Sequence, residues 1–198
     1  MTKLTIDDIS DLRAYERERA GFRSHVIALK KRRRVHVGPV VTLLFENRDT
    51  IRFQIQEMAR VEKLISDEAI ETELAIYNPL IPVAGALSAT LFIELTSEAE
   101  LRHWLPRLVG IETQVELRIG SGDDRVSVPC VVDADHAKQL TRDEITASVH
   151  YVHWQLTDDE IAAFAHGPVQ VVATHPEYLH GAELSDATRV ELLGDLRG

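Results

Sequence analysis

The sequence predicts an α+β fold, with a helix-rich N-terminal part packed with a mixed, mainly antiparallel β-sheet C-terminal part. Three observations predict it. Apolar residues recur at spacings of three and four over much of the first 80 residues, the period of a helix with one buried face. Beyond them, short apolar or alternating runs read as strands and are interleaved with short helical segments. Finally, GSGDD between two such runs reads as a hairpin turn. With 44% hydrophobic and 27% charged residues, the 198-residue chain has the composition of one that folds throughout.

The first helix spans about Leu12 to Arg34. Leu12, Tyr15, Arg19, Phe22, Val26, Leu29 and Arg33 form its stripe, with Arg19 and Arg33 as polar exceptions. Asp7, Asp8, Ser10 and Asp11 crowd its start, and Lys30 to Arg34 crowd its end. Each sign suits the helix dipole there. Gly38-Pro39 is the stop signal. Val40 to Phe45 reads as a short buried strand. In FENRDTIRFQIQEM, Phe45 to Met58, strand and helix compete. Helix prevails because Ile51, Ile55, Met58, Val61 and Ile65 share one arc, with Asn47 or Asp49 as cap. Gln54 falls inside that arc and is expected as a buried amide bonded to backbone.

Ser66-Asp67-Glu68 opens a third helix that ends near Asn78-Pro79. Asn78 to Ile93, the longest uncharged run, is too short to span a bilayer and carries Pro82 and Gly85. It reads as a loop leading into a buried strand. The expected elements that follow are strand Ser88–Leu95, helix Ser97–Val109, a hairpin of Gln114–Ile119 and Arg125–Val132, and strand Ala147–Leu156. Helix Thr157–Ala165, strand Val169–Ala173 and helix Leu184–Leu196 complete the chain. A single compact domain, 1–198, is expected. Its possible subdivision, near Pro82–Gly85, is into a helix-rich basic half (residues 1–84) and an acidic α+β half (residues 85–198).

The net charge of −10 is unevenly spread: residues 1–64 carry +5 and the remainder −15. The basic segment therefore faces either an external anion or the chain's own acids. The N-terminus has no apolar stretch after a basic start, so a secretory signal is not expected. Cys130 is the only cysteine. It can form no intrachain disulfide and cannot ligate an iron–sulfur cluster alone, which points to a reducing cytoplasm. In VSVPCVV it reads as a buried inert thiol.

No cofactor motif is present. The Gly-rich GSGDD precedes a strand rather than a helix, and its aspartates would repel phosphate. His150, His153, His175 and His180 are the candidate metal ligands. No HExxH spacing occurs, and a strand would point His150 and His153 to opposite faces. No GxSxG nucleophile is present. On the helix that contains FENRDTIRFQIQEM, Arg48, Arg52, Gln56, Arg60 and Lys63 form a stripe beside the apolar arc. Arg34 and the preceding basic run extend it, and guanidinium forks suit carboxylates and phosphates. A nucleic-acid partner is disfavoured by a pI near 5.3 and 6% aromatic residues.

The blocks KKRRRVHVGPVVTLLFENRDTIRFQIQEMARVEKL and ELAIYNPLIPVAGALSATLFIEL resemble the bacterial DUF3501 family, a family of unknown function. Similarity runs from YERER through SVHYVHW to the final helix. The resemblance brings no activity and no catalytic residues. It implies a bacterial origin and a setting beside rubrerythrin-like and iron–sulfur oxidoreductase-like proteins, hence a redox or oxidative-stress accessory role. Three expectations therefore stand: a non-catalytic accessory protein that binds a partner, a binder or enzyme for a small anion using the Arg/Gln stripe, and a histidine-based metal enzyme. A homodimer is the commonest oligomer.

Overall fold

A computed structural model describes residues 2–132 and 145–198. In chain order these form α1 (Leu12–Arg33), β1 (Arg34–Val37), β2 (Val41–Phe45), α2 (Arg48–Glu62), α3 (Asp67–Tyr77), β3 (Ala86–Ile93) and α4 (Glu98–Trp104). Then come β4 (Val115–Ile119), β5 (Val126–Pro129), β6 (Val149–Gln155), α5 (Asp158–His166), β7 (Val169–His175), β8 (Tyr178–Glu183) and α6 (Asp186–Arg197). Each of these helices starts at a short polar side chain that accepts from an otherwise unpaired backbone N–H. The caps are Asp11, Asn47, Ser66, Ser97, Thr157 and Ser185.

The strands form two four-stranded sheets, in the orders β1-β2-β3-β6 and β5-β4-β7-β8, and every pair is antiparallel. Their facing sides share one apolar core. Leu43, Phe45, Leu91 and Trp154 come from the first sheet and Leu117 and Val171 from the second; Phe164 of α5 and Leu192 of α6 join them. The sheets also meet at their edges. Val131, beyond β5, exchanges two backbone hydrogen bonds with His153 of β6, at 2.7 and 2.9 Å. At the other edge Tyr178 of β8 reaches the β1–β2 turn. Its hydroxyl donates to Val37 O (2.7 Å) and accepts from the amides of Val40 and Val41 (3.0 Å each). Gly38 in that turn has φ +74°, and a Cβ there would lie 2.7 Å from the Tyr178 hydroxyl, so both conformation and contact require glycine.

The outer face of the first sheet is covered by the N-terminal helices. Ile51 and Ile55 of α2, Leu74 of α3, Leu80, Ile81 and Leu4 form a second apolar cluster there. Arg33, the last residue of α1, ties these layers to α6. It is 0% exposed. Its Nε donates to Phe45 O (2.9 Å), Nη2 donates to Glu46 O (3.0 Å) and to the Asp195 carboxylate, and Nη1 donates to Glu191 (3.2 Å).

Most expected elements are present within a few residues. Four differences have physical causes. The basic run does not lead directly to the Gly38-Pro39 stop. RVHV forms β1, its valines buried and its polar residues exposed, and Gly38-Pro39 is the hairpin turn. Between Ala173 and Leu184, where the sequence predicts no element, a turn at Pro176-Glu177 leads into β8, in which only Tyr178 is buried, so little alternation marks it. The helix after Ser97 ends at Trp104, not Val109. Lastly, the buried amide of α2 is Gln56 and not Gln54, which is half-buried on the rim of a cleft. β1 and β2 share a sheet with β3 and β6, so the boundary near Pro82–Gly85 falls between paired strands.

Candidate functional site

The Arg/Gln stripe of α2 faces the start of the chain. Asn47 caps the helix and sets its rotation, and Ile51 and Ile55 anchor it on the sheet. That places Arg48, Arg52, Gln56 and Arg60 against α1 and the short turn before it. Arg48 pairs with Asp8 and Arg60 with Glu16. Arg52 donates through Nε to Asp8 O (2.7 Å) and through Nη2 to Glu18 (3.0 Å), and its guanidinium lies 4.7 Å from the Phe22 ring centre. Gln56 makes a closed pair with Ser10: its Oε1 accepts from Ser10 N (2.7 Å) and its Nε2 donates to Ser10 O (3.1 Å). Beside them Glu57 accepts from Arg19 at 2.7 and 2.8 Å and from the Tyr15 hydroxyl at 2.7 Å. Arg19 is the main reason the Glu57 carboxyl lies below the usual range. The Asp8 carboxyl is lowered too, chiefly by the Thr5 amide and then by Arg48.

The negative charge opposite the stripe thus comes from the N-terminal segment itself. Acidic residues of the remainder pair instead with the end of α1 and the start of β1: Arg32 and Arg33 with Glu191, Arg33 with Asp195, and Arg34 with Glu94. Lys63 stands exposed in the left-handed region that ends α2. An external anion at the stripe would have to displace these carboxylates, so the stripe presents a fastening between helices rather than an empty anion site.

The candidate histidines are dispersed. His150 points into the core between the sheets, and His153 lies on the opposite face of β6. His150 Nε2 lies 2.9 Å from both Thr146 Oγ1 and Ala147 O; burial lowers its pKa against the opposing charge of Glu112. His175 Nδ1 accepts from Glu177 N (3.2 Å), leaving Nε2–H to donate to Val109 O (3.1 Å). His180 is exposed and packs on the Tyr178 ring. Among the described residues no group of three or more His, Cys, Asp and Glu side chains could hold a metal ion. Cys130 donates to Glu112 O (3.1 Å), and burial raises its pKa, the opposite of what thiolate attack requires.

A different surface emerges at the far end of α2. The helix stops at Glu62, so the apolar arc outruns its support on the sheet. Val61 is 69% exposed and Ile65 87% exposed. Ile65 lines a groove with Leu64, Ala59, Ile6, Ile9 and Ile70, flanked by Arg13, Asp11 and Asp67. Helical periodicity places Val61 and Ile65 on the apolar arc of α2. The fold leaves both Val61 and Ile65 facing outward.

The family model described as a protein of unknown function, DUF3501, matches residues 3–196. The fold is similar to the crystal structure of a novel protein of unknown function from Burkholderia pseudomallei. That structure shares 39% sequence identity and a TM-score of 0.89, over 98% of this chain and 100% of that one. No curated protein matches the chain. No described helix is long and apolar enough to cross a membrane.

Proposed function

We propose that this chain, which belongs to the DUF3501 family, works as a non-catalytic accessory protein of the bacterial cytoplasm that binds a partner protein. Its setting is a redox, oxidative-stress or iron–sulfur-related pathway, with a rubrerythrin-like or iron–sulfur oxidoreductase-like protein as the class of partner. The setting rests on the family resemblance alone. The binding role rests on the apolar end of α2. Ile65 exposes a branched apolar side chain in an apolar groove bordered by charge, and Val61, four residues earlier in the chain, exposes another; together they have the anatomy of a protein-binding patch with a polar rim. The chain acts as one unit of 198 residues, and a second copy in the groove, giving a homodimer, is the competing occupant.

The test pairs wild type with a Val61→Asp, Ile65→Asp double variant. Both positions are exposed, so the variant should melt like wild type. Chemical cross-linking in cells, read by mass spectrometry, is expected to join wild type to one dominant partner through the α2 end and to lose that adduct in the variant. Light scattering reports self-association. Identical cross-links in both proteins defeat the reading.

A further inference from the structure

A second cavity, of about 240 Å³, lies between the N-terminal helices and the outer face of the first sheet. Its polar centre is Glu46, which sits at the junction of β2 and α2 and is only 6% exposed. The backbone there is fixed on both sides: Glu46 N donates to Ser88 O (2.8 Å) and Glu46 O accepts from Arg33. The carboxylate is held as well. Oε1 accepts from the Thr90 hydroxyl (2.7 Å), and Oε2 accepts from the Thr50 hydroxyl. Two hydroxyls leave about half of a carboxylate's four acceptor positions open. Among the described residues no Lys, Arg or His nitrogen lies within 4.0 Å of it.

A buried carboxylate without a cationic partner is costly unless something compensates it. The first turn of α2 contributes some of the compensation through its N-terminal dipole. The cavity supplies room for the rest. Phe92, Tyr77 and Tyr151 line it together with Leu44 and Ile51, so a guest would meet aromatic and aliphatic walls around the Glu46 carboxylate, with Thr50, Gln54 and Thr90 beside it. Burial raises the pKa of the Tyr151 phenol, with Tyr77 and Glu46 adding to the rise, which keeps a neutral ring in the wall. Lys30 of α1 lines the same cavity, its ammonium 5.6 Å from the Phe53 ring centre.

We propose that this cleft binds a small organic molecule bearing a primary ammonium group on an apolar body, with the ammonium on Glu46 and the body against Phe92, Tyr77 and Tyr151. Hydrogen bonding to a desolvated carboxylate and attraction to aromatic faces both select an ammonium there. Two sources share this chemistry, a simple amine and an α-amino acid, and Lys30 is the group that separates them. This site is distinct from the groove at the α2 end.

Isothermal titration with phenethylamine, phenylalanine and 3-phenylpropionate tests it. At least one of the two ammonium probes is expected to bind, and 3-phenylpropionate is not. Glu46→Gln is expected to weaken binding by about tenfold or more, the size of a lost charge-assisted hydrogen bond. A preference for phenylalanine that vanishes in Lys30→Met identifies an amino-acid site; equal affinity or a preference for phenethylamine in wild type identifies an amine site. Should Glu46→Gln fail to fold, Val149→Phe, which fills the cavity wall without touching the carboxylate's hydrogen bonds, is expected to abolish binding. The proposal is overturned if neither ammonium probe binds at millimolar concentration, if 3-phenylpropionate binds as tightly as they do, or if both variants bind like wild type.

Discussion

Arg33 shows how much one side chain decides. In the sequence it is an exception on an apolar stripe. In the fold it is fully buried and joins α1, the end of β2 and α6. Burial pushes the Asp195 carboxyl up, and Arg33 works against that rise by charge and hydrogen bonding. Replacing Arg33 with Met would strand this carboxylate and take the same donor from two backbone carbonyls. Urea denaturation is expected to show a loss of about 3–5 kcal/mol, the usual result of breaking a buried pair from one side. Arg33→Lys should recover only some of it, since a lysine cannot reproduce the guanidinium fork. The position of Arg33 was legible in the stripe, but its carboxylate partners Glu191 and Asp195 were not, because they lie more than 150 residues away along the chain.

At the scale of elements, the α1–α2 contact converts a sequence pattern into a fastening. Helical periodicity correctly predicted both helices and the polar stripe between them. It could not say what the stripe faced, because the answer depends on the angle at which α1 returns across α2. Glu57 is the centre of that contact. Its folded pKa is depressed, so its contribution to stability is complete above the ordinary value of 4.5 and is lost as pH falls through the lower folded value. Glu57→Gln is expected to cost about 1 kcal/mol at neutral pH. Its stability should also fall less steeply than wild type below pH 4.5, when both are followed by thermal melting across acid buffers. Equal acid slopes would show that the contact carries no such linkage.

The whole molecule depends on how the two sheets close around their shared core. Tyr178 fastens one seam, with three hydrogen bonds from a side chain that is 1% exposed. Tyr178→Phe leaves the Val40 and Val41 amides and the Val37 carbonyl without this partner inside the protein. A loss of about 2–3 kcal/mol is expected. Hydrogen exchange at Val40 and Val41 should accelerate more than exchange in the centre of β3, which the seam does not touch. Uniform acceleration would mean that the edge opens only with global unfolding.

By itself the sequence determined the α+β class, the three N-terminal helices with their capping segments, and the family resemblance. These depend on side chains close together in the chain, where period, charge at helix ends and turn chemistry act locally. Only the tertiary structure decided that β1 and β8 are strands, that Gln56 rather than Gln54 is the buried amide, and that the arginine stripe is already paired. It also decided that Val61 and Ile65 lie outside the core and that Glu46 borders a cavity. Each of these depends on which distant surface meets a given face, and that is settled by packing all the layers at once.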